Sequence, residues 1–222
     1  IIYRAMNRIS VAACICVCAC SASSVGGGTQ RLFVNARLAG ASHPPGSRSV
    51  VVVRKGNEAG ALLDDATVVL RGGKLDRTVV PWDAIHNDYR LSGFRWEPAV
   101  RLEVTREREW LDATIDVPGA TLVVSPLDGS NFVKADKQPL IVEWKDEHNV
   151  STATTTVHLR TAGVDRTLPP GSISLVLQPE ELTRVSDEKL TIERRVSVDL
   201  FGGALNSRFT AGTSHEVTFN VE

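Results

Sequence analysis

The chain has 222 residues, enough to bury a core in one large domain or in two small ones. Its 25 Lys and Arg stand against 26 Asp and Glu, so no net field draws it to nucleic acid or to an anionic membrane surface. All 4 cysteines lie at or before residue 20, which excludes intramolecular disulfides downstream and leaves packing to stabilise the fold.

The N-terminal segment comes first. From Met6, the single methionine and the expected start, with Ile1 to Ala5 upstream of it, the chain reads as a basic Arg8, an apolar run from Ile9 to Ala19, and the tract SASSVGGGTQ. That order is the layout of a secretory signal peptide, and the apolar run is too short to span a bilayer as a permanent helix. Within it, Val17-Cys18-Ala19-Cys20 resembles the lipobox of bacterial lipoproteins, in which aliphatic and small residues precede a cysteine that is lipidated and becomes the mature N-terminus. The resemblance implies lipidation at Cys20, with Cys18 an unusual occupant of its position. Val11-Ala12-Ala13-Cys14 matches by residue type, yet cleavage there leaves only about five apolar residues after Arg8, below the roughly 7 to 15 of such a core. Secretion with cleavage near Ala22 to Ser24 and no lipid is the alternative. Metal binding by the thiolates would call for a second pair or histidines in register, and no second pair exists. Residues 1–20 are therefore read as a signal and lipobox segment, and 21–30 as a Ser/Gly tether.

From Arg31 onward the pattern is period-two alternation in short runs bounded by Gly, Pro, Asn and Asp, which predicts an all-β chain. The expected strands are RLFVNARLA (31–39), SVVVVRK (49–55), ATVVLRG (66–72), LDRTVV (75–80), DYRLSGF (88–94), AVRLEVTRE (99–107) and REWLDATIDV (108–117). After Pro118-Gly119 come ATLVVS (120–125), NFVKA (131–135), PLIVEWKDE (139–147), STATTTVHLR (151–160), SISLVLQ (172–178), KLTIERRVSVDL (189–200), SRFTA (207–211) and HEVTFNV (215–221). Strands divided this evenly predict two tandem antiparallel β-sandwich domains, 31–118 and 119–222, with the boundary at Pro118-Gly119.

Two hairpins can be registered. Pairing Val104 with Leu111 places Val100, Leu102 and Val104 on one face with Leu111, Ala113, Ile115 and Val117, leaves Glu107-Arg108 as a two-residue loop, and turns Trp110 outward. In the second, Trp144 pairs with Val157, residues 149–152 form the loop, and His158 faces Glu143 as a surface ion pair.

Two family resemblances follow from longer stretches. DATVVLRGG with NDYRLSGFRWEPAVRLEVTREREWLDATIDVPG resembles the seven-stranded prealbumin-like or immunoglobulin-like modules of bacterial surface proteins, over residues 31–118. SPLDGSNFVKADKQPLIVEWK resembles bacterial Ig-like or fibronectin-III-like domains, in which a Pro-x-x-Gly turn precedes a strand with a buried tryptophan, here Trp144. The resemblance implies architecture, since such folds host many functions.

The sequence contains no nucleophile elbow, phosphate loop, dinucleotide fingerprint or zinc-protease motif, and no cofactor is expected. The histidines His43, His86, His148, His158 and His215 have no ligand spacing. Asp128, Asn131 and Asp136 are the candidate ligands for a weak calcium site, with Asp64-Asp65 next, although turn chemistry accounts for both clusters. Trp110 and Trp96 are the candidate ligand-binding aromatics, Trp82 is expected to cap an end of the first sandwich, and Trp144 is expected in the core. The sequence thus predicts a lipid-anchored, non-enzymatic element of a bacterial cell envelope. It would meet the membrane through its anchor and bind a protein or glycan partner, not nucleic acid. The alternatives are a carbohydrate-binding module and a secreted hydrolase with a carboxylate pair.

Overall fold

The computed structural model describes residues 31–42, 45–119, 121–124, 132–133 and 139–221. The described chain is all-β. Its strands are β1 (Leu32–Ser42), β2 (Pro45–Lys55), β3 (Thr67–Arg71), β4 (Thr78–Val79), β5 (Trp82–Asp83), β6 (Asp88–Ser92), β7 (Ala99–Arg106) and β8 (Glu109–Asp116). These are followed by β9 (Thr121–Val124), β10 (Phe132–Val133), β11 (Leu140–Asp146), β12 (Thr154–Leu159), β13 (Val164–Leu168), β14 (Ser174–Leu177), β15 (Val185–Asp199) and β16 (Arg208–Val221). A 3-10 turn at Pro179–Glu181 is the one helical element among the described residues.

Three sheets enclose two cores. A nine-stranded sheet runs β13-β12-β15-β16-β1-β2-β6-β5, with β10 also paired to β16, and two smaller sheets, β4-β3-β7-β8 and β14-β11-β9, complete the set. The first core joins Val34, Ala36, Val51 and Val53 of the large sheet to Leu70, Leu102, Val104, Leu111 and Ile115 of the four-stranded sheet. The second joins Val157, Leu159, Leu190, Ile192 and Phe219 to Leu140, Val142, Trp144, Leu175 and Leu177.

The expected boundary at Pro118-Gly119 falls between β8 and β9, so it separates the two small sheets. The C-terminal hairpin β15–β16 crosses it. Its Leu190, Ile192, Phe219 and Val221 lie in the second core, while Val196, Leu200, Phe209 and Ala211 lie in the first. There β16 runs parallel to β1, with Ala36 opposite Phe209. Residues 207–211 and 215–221, expected as separate strands, form one strand through Gly212. The space at Gly212 is tight: a Cβ would stand 3.0 Å from both the Arg194 carbonyl and Arg195 Cγ.

The first registered hairpin forms as the alternation predicts. Val104 pairs with Leu111, Arg106 pairs with Glu109, and Glu107-Arg108 is the loop. Glu107 takes a φ of 53°, a left-handed conformation that costs an L side chain about 1–2 kcal/mol. Glu107→Gly is therefore expected to stabilise the chain by about 1 kcal/mol, seen as a higher urea midpoint at unchanged slope.

The second registered hairpin does not form. β11 pairs with β14 and β9, whereas β12 pairs with β13 and β15, so the connection between β11 and β12 arches from one sheet to the other. Trp144 and Val157 meet across the core instead of along a ladder. His158 lies beside Asp165, 3.4 Å away, and Glu143 lies on the opposite sheet between Val124 and Ser174. Alternation dictates which side chains face inward, but a strand that arches over the core has the same alternation as one that folds back beside its neighbour.

Candidate functional site

Two places hold side chains that the cores do not account for. The first is the outer edge of β8. Leu111 and Ile115 point into the core, so Trp110 points out and is 47% exposed. The Arg101 guanidinium sits 5.8 Å from the centre of its ring, within cation–π range, and also bonds Asp112 at 2.8 Å. The β15–β16 loop closes against this edge. Phe201 N–H donates to the Asp112 carbonyl at 3.1 Å, and Ala204 N–H donates to the Leu32 carbonyl at 2.8 Å. Gly202 makes the approach feasible: its φ is 81°, and a Cβ there would lie 2.9 Å from the Trp110 carbonyl. The loop thereby sets Phe201, 78% exposed, on the same edge as Trp110, and carries Leu205, 87% exposed, further along.

The second place is the joint between the cores. Asp146, at the end of β11, accepts backbone N–H groups from Gly119 at 2.8 Å, His148 at 3.0 Å and Val150 at 2.7 Å. It also pairs with the Arg194 guanidinium, which donates in turn to the Val150 carbonyl at 3.1 Å. Burial works to raise the Asp146 pKa, but the bonds from Arg194 and from the three backbone N–H groups outweigh it and hold the carboxyl below its ordinary value. Around this pair, Thr213 donates to the Gly119 carbonyl at 3.1 Å, Trp96 Nε1 donates to the Pro118 carbonyl at 2.7 Å, and His148 Nδ1 lies 2.7 Å from the Val117 carbonyl. A cleft of about 380 Å³ opens beside the network, lined among others by Trp144, Lys145, Asn149, Ser151 and Ile173. The polar groups at its floor already serve the joint, and the Asp146 carboxylate is committed to four donors.

The residues singled out from sequence fall in different places. Trp96 is a brace: its N–H holds Pro118, and its ring lies 3.2 Å from where a Cβ on Gly40 would stand. Trp82 packs edge-on against Tyr89 at 5.1 Å, and Trp144 is buried. Asp65 forms an ion pair with Arg106 at 2.7 Å, a bond that lowers its carboxyl pKa. Cys20, Asp128, Asn131 and Asp136 lie outside the described residues. Among the described residues no group of three or more His, Cys, Asp or Glu is placed to hold a metal ion. A second buried carboxylate, Glu188, accepts N–H groups from Thr161 at 2.8 Å, Ala162 at 3.1 Å and Lys189 at 2.9 Å, and so fastens the β12–β13 turn.

Phe201 and Leu205 escaped the sequence reading because Gly202-Gly203 marks a turn and the residues around a turn attract no notice. The available signal was their type, since hairpin turns favour small and polar residues over Phe and Leu.

Fold and site together define an all-β protein of two sandwiched cores sharing one C-terminal hairpin, with an exposed apolar edge. No family model matches the chain, and no curated protein does. Among matching solved structures is a chain from work on host cell surface retention of a 1.5-MDa bacterial ice-binding adhesin, at 12% identity and a TM-score of 0.31. The match covers 88% of this chain and 66% of that one, at a score where two chains need not share a strand arrangement.

Proposed function

We propose that the chain is a non-enzymatic binding element of a bacterial cell envelope, anchored by lipid at Cys20 and presenting the Trp110–Phe201 edge to a protein or glycan partner. The observation that carries the reading is the exposure of Trp110 and Phe201 on an edge that backbone bonds and Gly202 hold in place. A preformed apolar surface binds without first ordering itself, and aromatic residues are the commonest anchors in such contacts. A glycan partner is favoured by the half-exposed indole with the Arg101 and Asp112 side chains as polar neighbours, since sugars present apolar faces ringed by hydroxyls. The buried carboxylates Asp146 and Glu188 are each held by backbone N–H groups, which gives them structural work rather than a place in a catalytic pair.

The test compares the full chain with a Trp110→Ala/Phe201→Ala variant on a glycan array and against envelope protein fractions. Saturable binding is expected to fall at least tenfold in the variant, while Val79→Ala, at an exposed position on β4, leaves it unchanged. Equal binding by the double variant would remove the edge from the proposal. Turnover of a glycan or ester that survives repurification would remove its non-enzymatic character. The anchor is tested separately, by mass spectrometry of the mature N-terminus.

A further inference from the structure

The edge of the three-stranded sheet invites another strand. Among the described residues, β14 pairs with β11 on one side and with no strand on the other. Trp144 N–H donates to the Ile173 carbonyl at 3.0 Å, and from there the antiparallel ladder alternates, so Leu175 and Leu177 bond toward β11. The N–H and C=O groups of Ser174 and Val176 therefore point to the open side. Most free edges are protected by charge or by brevity. β13 carries Asp165 and Arg166, β4 and β5 have two residues each, and β8 is covered by the bridge to Phe201. The stretch Ser172–Gln178 carries no charge, and Pro169-Pro170 and Pro179 bracket it, which limits an added strand to this length.

We propose that β14 is a self-association edge, pairing antiparallel with β14 of a second copy about a two-fold axis at Leu175. The free groups select this register. With Leu175 opposite its own copy, Ser174 of each chain faces Val176 of the other, and these are the two residues whose backbone groups are unpaired. Four backbone hydrogen bonds form, and the two three-stranded sheets become one sheet of six. The uncharged strand brings no like charges together across the axis, a condition that other β-edge pairings must meet with complementary charges. The same register sets Ile173, 69% exposed, beside Leu177 of the second copy, and sets Val176, 42% exposed, among apolar and hydroxyl neighbours. One strand pair is a small interface, so association is weak and concentration-dependent.

The experiment is sedimentation velocity of the full chain under reducing conditions over about a hundredfold concentration range reaching the millimolar, with hydrogen exchange on the same samples. Val176→Lys adds an edge charge, and Val176→Pro removes one open-side donor without touching the bonds to β11. The expected result is reversible dimerisation that weakens more than tenfold in both variants at unchanged circular dichroism. Protection of the Ser174 and Val176 amides should rise with concentration, while the Trp144 amide is protected throughout. A chain that stays monomeric, or association that survives both variants, overturns the proposal. So does a monomer whose β14 amides become protected only on adding an unrelated extended peptide.

Discussion

Asp146→Ala is expected to lower stability by about 3–5 kcal/mol, the range for removing one partner of a buried ion pair. The Arg194 side chain is 4% exposed and would keep its charge with no carboxylate beside it. The N–H groups of Gly119, His148 and Val150 would lose their common acceptor at the point where the chain passes from one core to the other. The pH dependence has a definite sign. The folded pKa of Asp146 lies below its ordinary value of 3.8, so the carboxylate is the form the fold prefers. Its contribution is complete above the unfolded value and is lost as pH falls through the folded one. Urea titrations from neutral pH down to about pH 2 should show a drop in stability below about pH 4 that is flattened in Asp146→Asn. Asp65, whose pKa is also lowered but whose bond to Arg106 is exposed, should contribute little to that drop. An acid limb unchanged in Asp146→Asn would show that the joint is held by packing instead.

What the sequence disclosed and what it hid divide along one physical line. The Val100, Leu102, Val104 run and the Leu111, Ile115 run are joined by two residues, so the turn itself pins the register and the face of Trp110 follows. Leu140, Val142 and Trp144 were equally legible as core. Which sheet they join depends on the turn after β11, where Asp146, expected inside the strand 139–147, is the acceptor that gathers the N–H groups of Gly119, His148 and Val150. Arg194, its partner, falls on the inward parity of β15 with Leu190, Ile192 and Val196, so alternation marks it as a buried charge without showing which carboxylate it meets. Residues 212–214 fell between two expected strands because local spacing does not show that β16 pairs through Gly212 with both β1 and β15. The same limit applies to the candidate site. Parity placed Trp110 outward, but only a long-range contact, the bridge from Asp112 to Phe201, brings the second apolar side chain to the same edge.

Phe209→Ala is expected to cost about 3–5 kcal/mol, and its effect should reach both cores. Phe209 is 0% exposed and packs in the first core from β16, opposite Ala36 of β1 in the parallel pairing. Further along, β16 carries Phe219 and Val221 into the second core, and β15 does the same with Leu190 and Ile192. A strand that is continuous through two cores transmits loss of order, because fraying it at Phe209 releases the ladder that holds Ile192 opposite His215. With fluorotryptophan in place of tryptophan, Trp82 reports the first core and Trp144 the second. The two signals should melt together in the wild type and shift together in Phe209→Ala, and limited proteolysis should release no stable fragment ending near Gly119. A Trp144 transition that stays in place while Trp82 moves would mean that each core closes on its own strands and borrows little from the hairpin. Coincident shifts would instead place the folding unit in β15–β16, with neither core able to form before the C-terminus has been made.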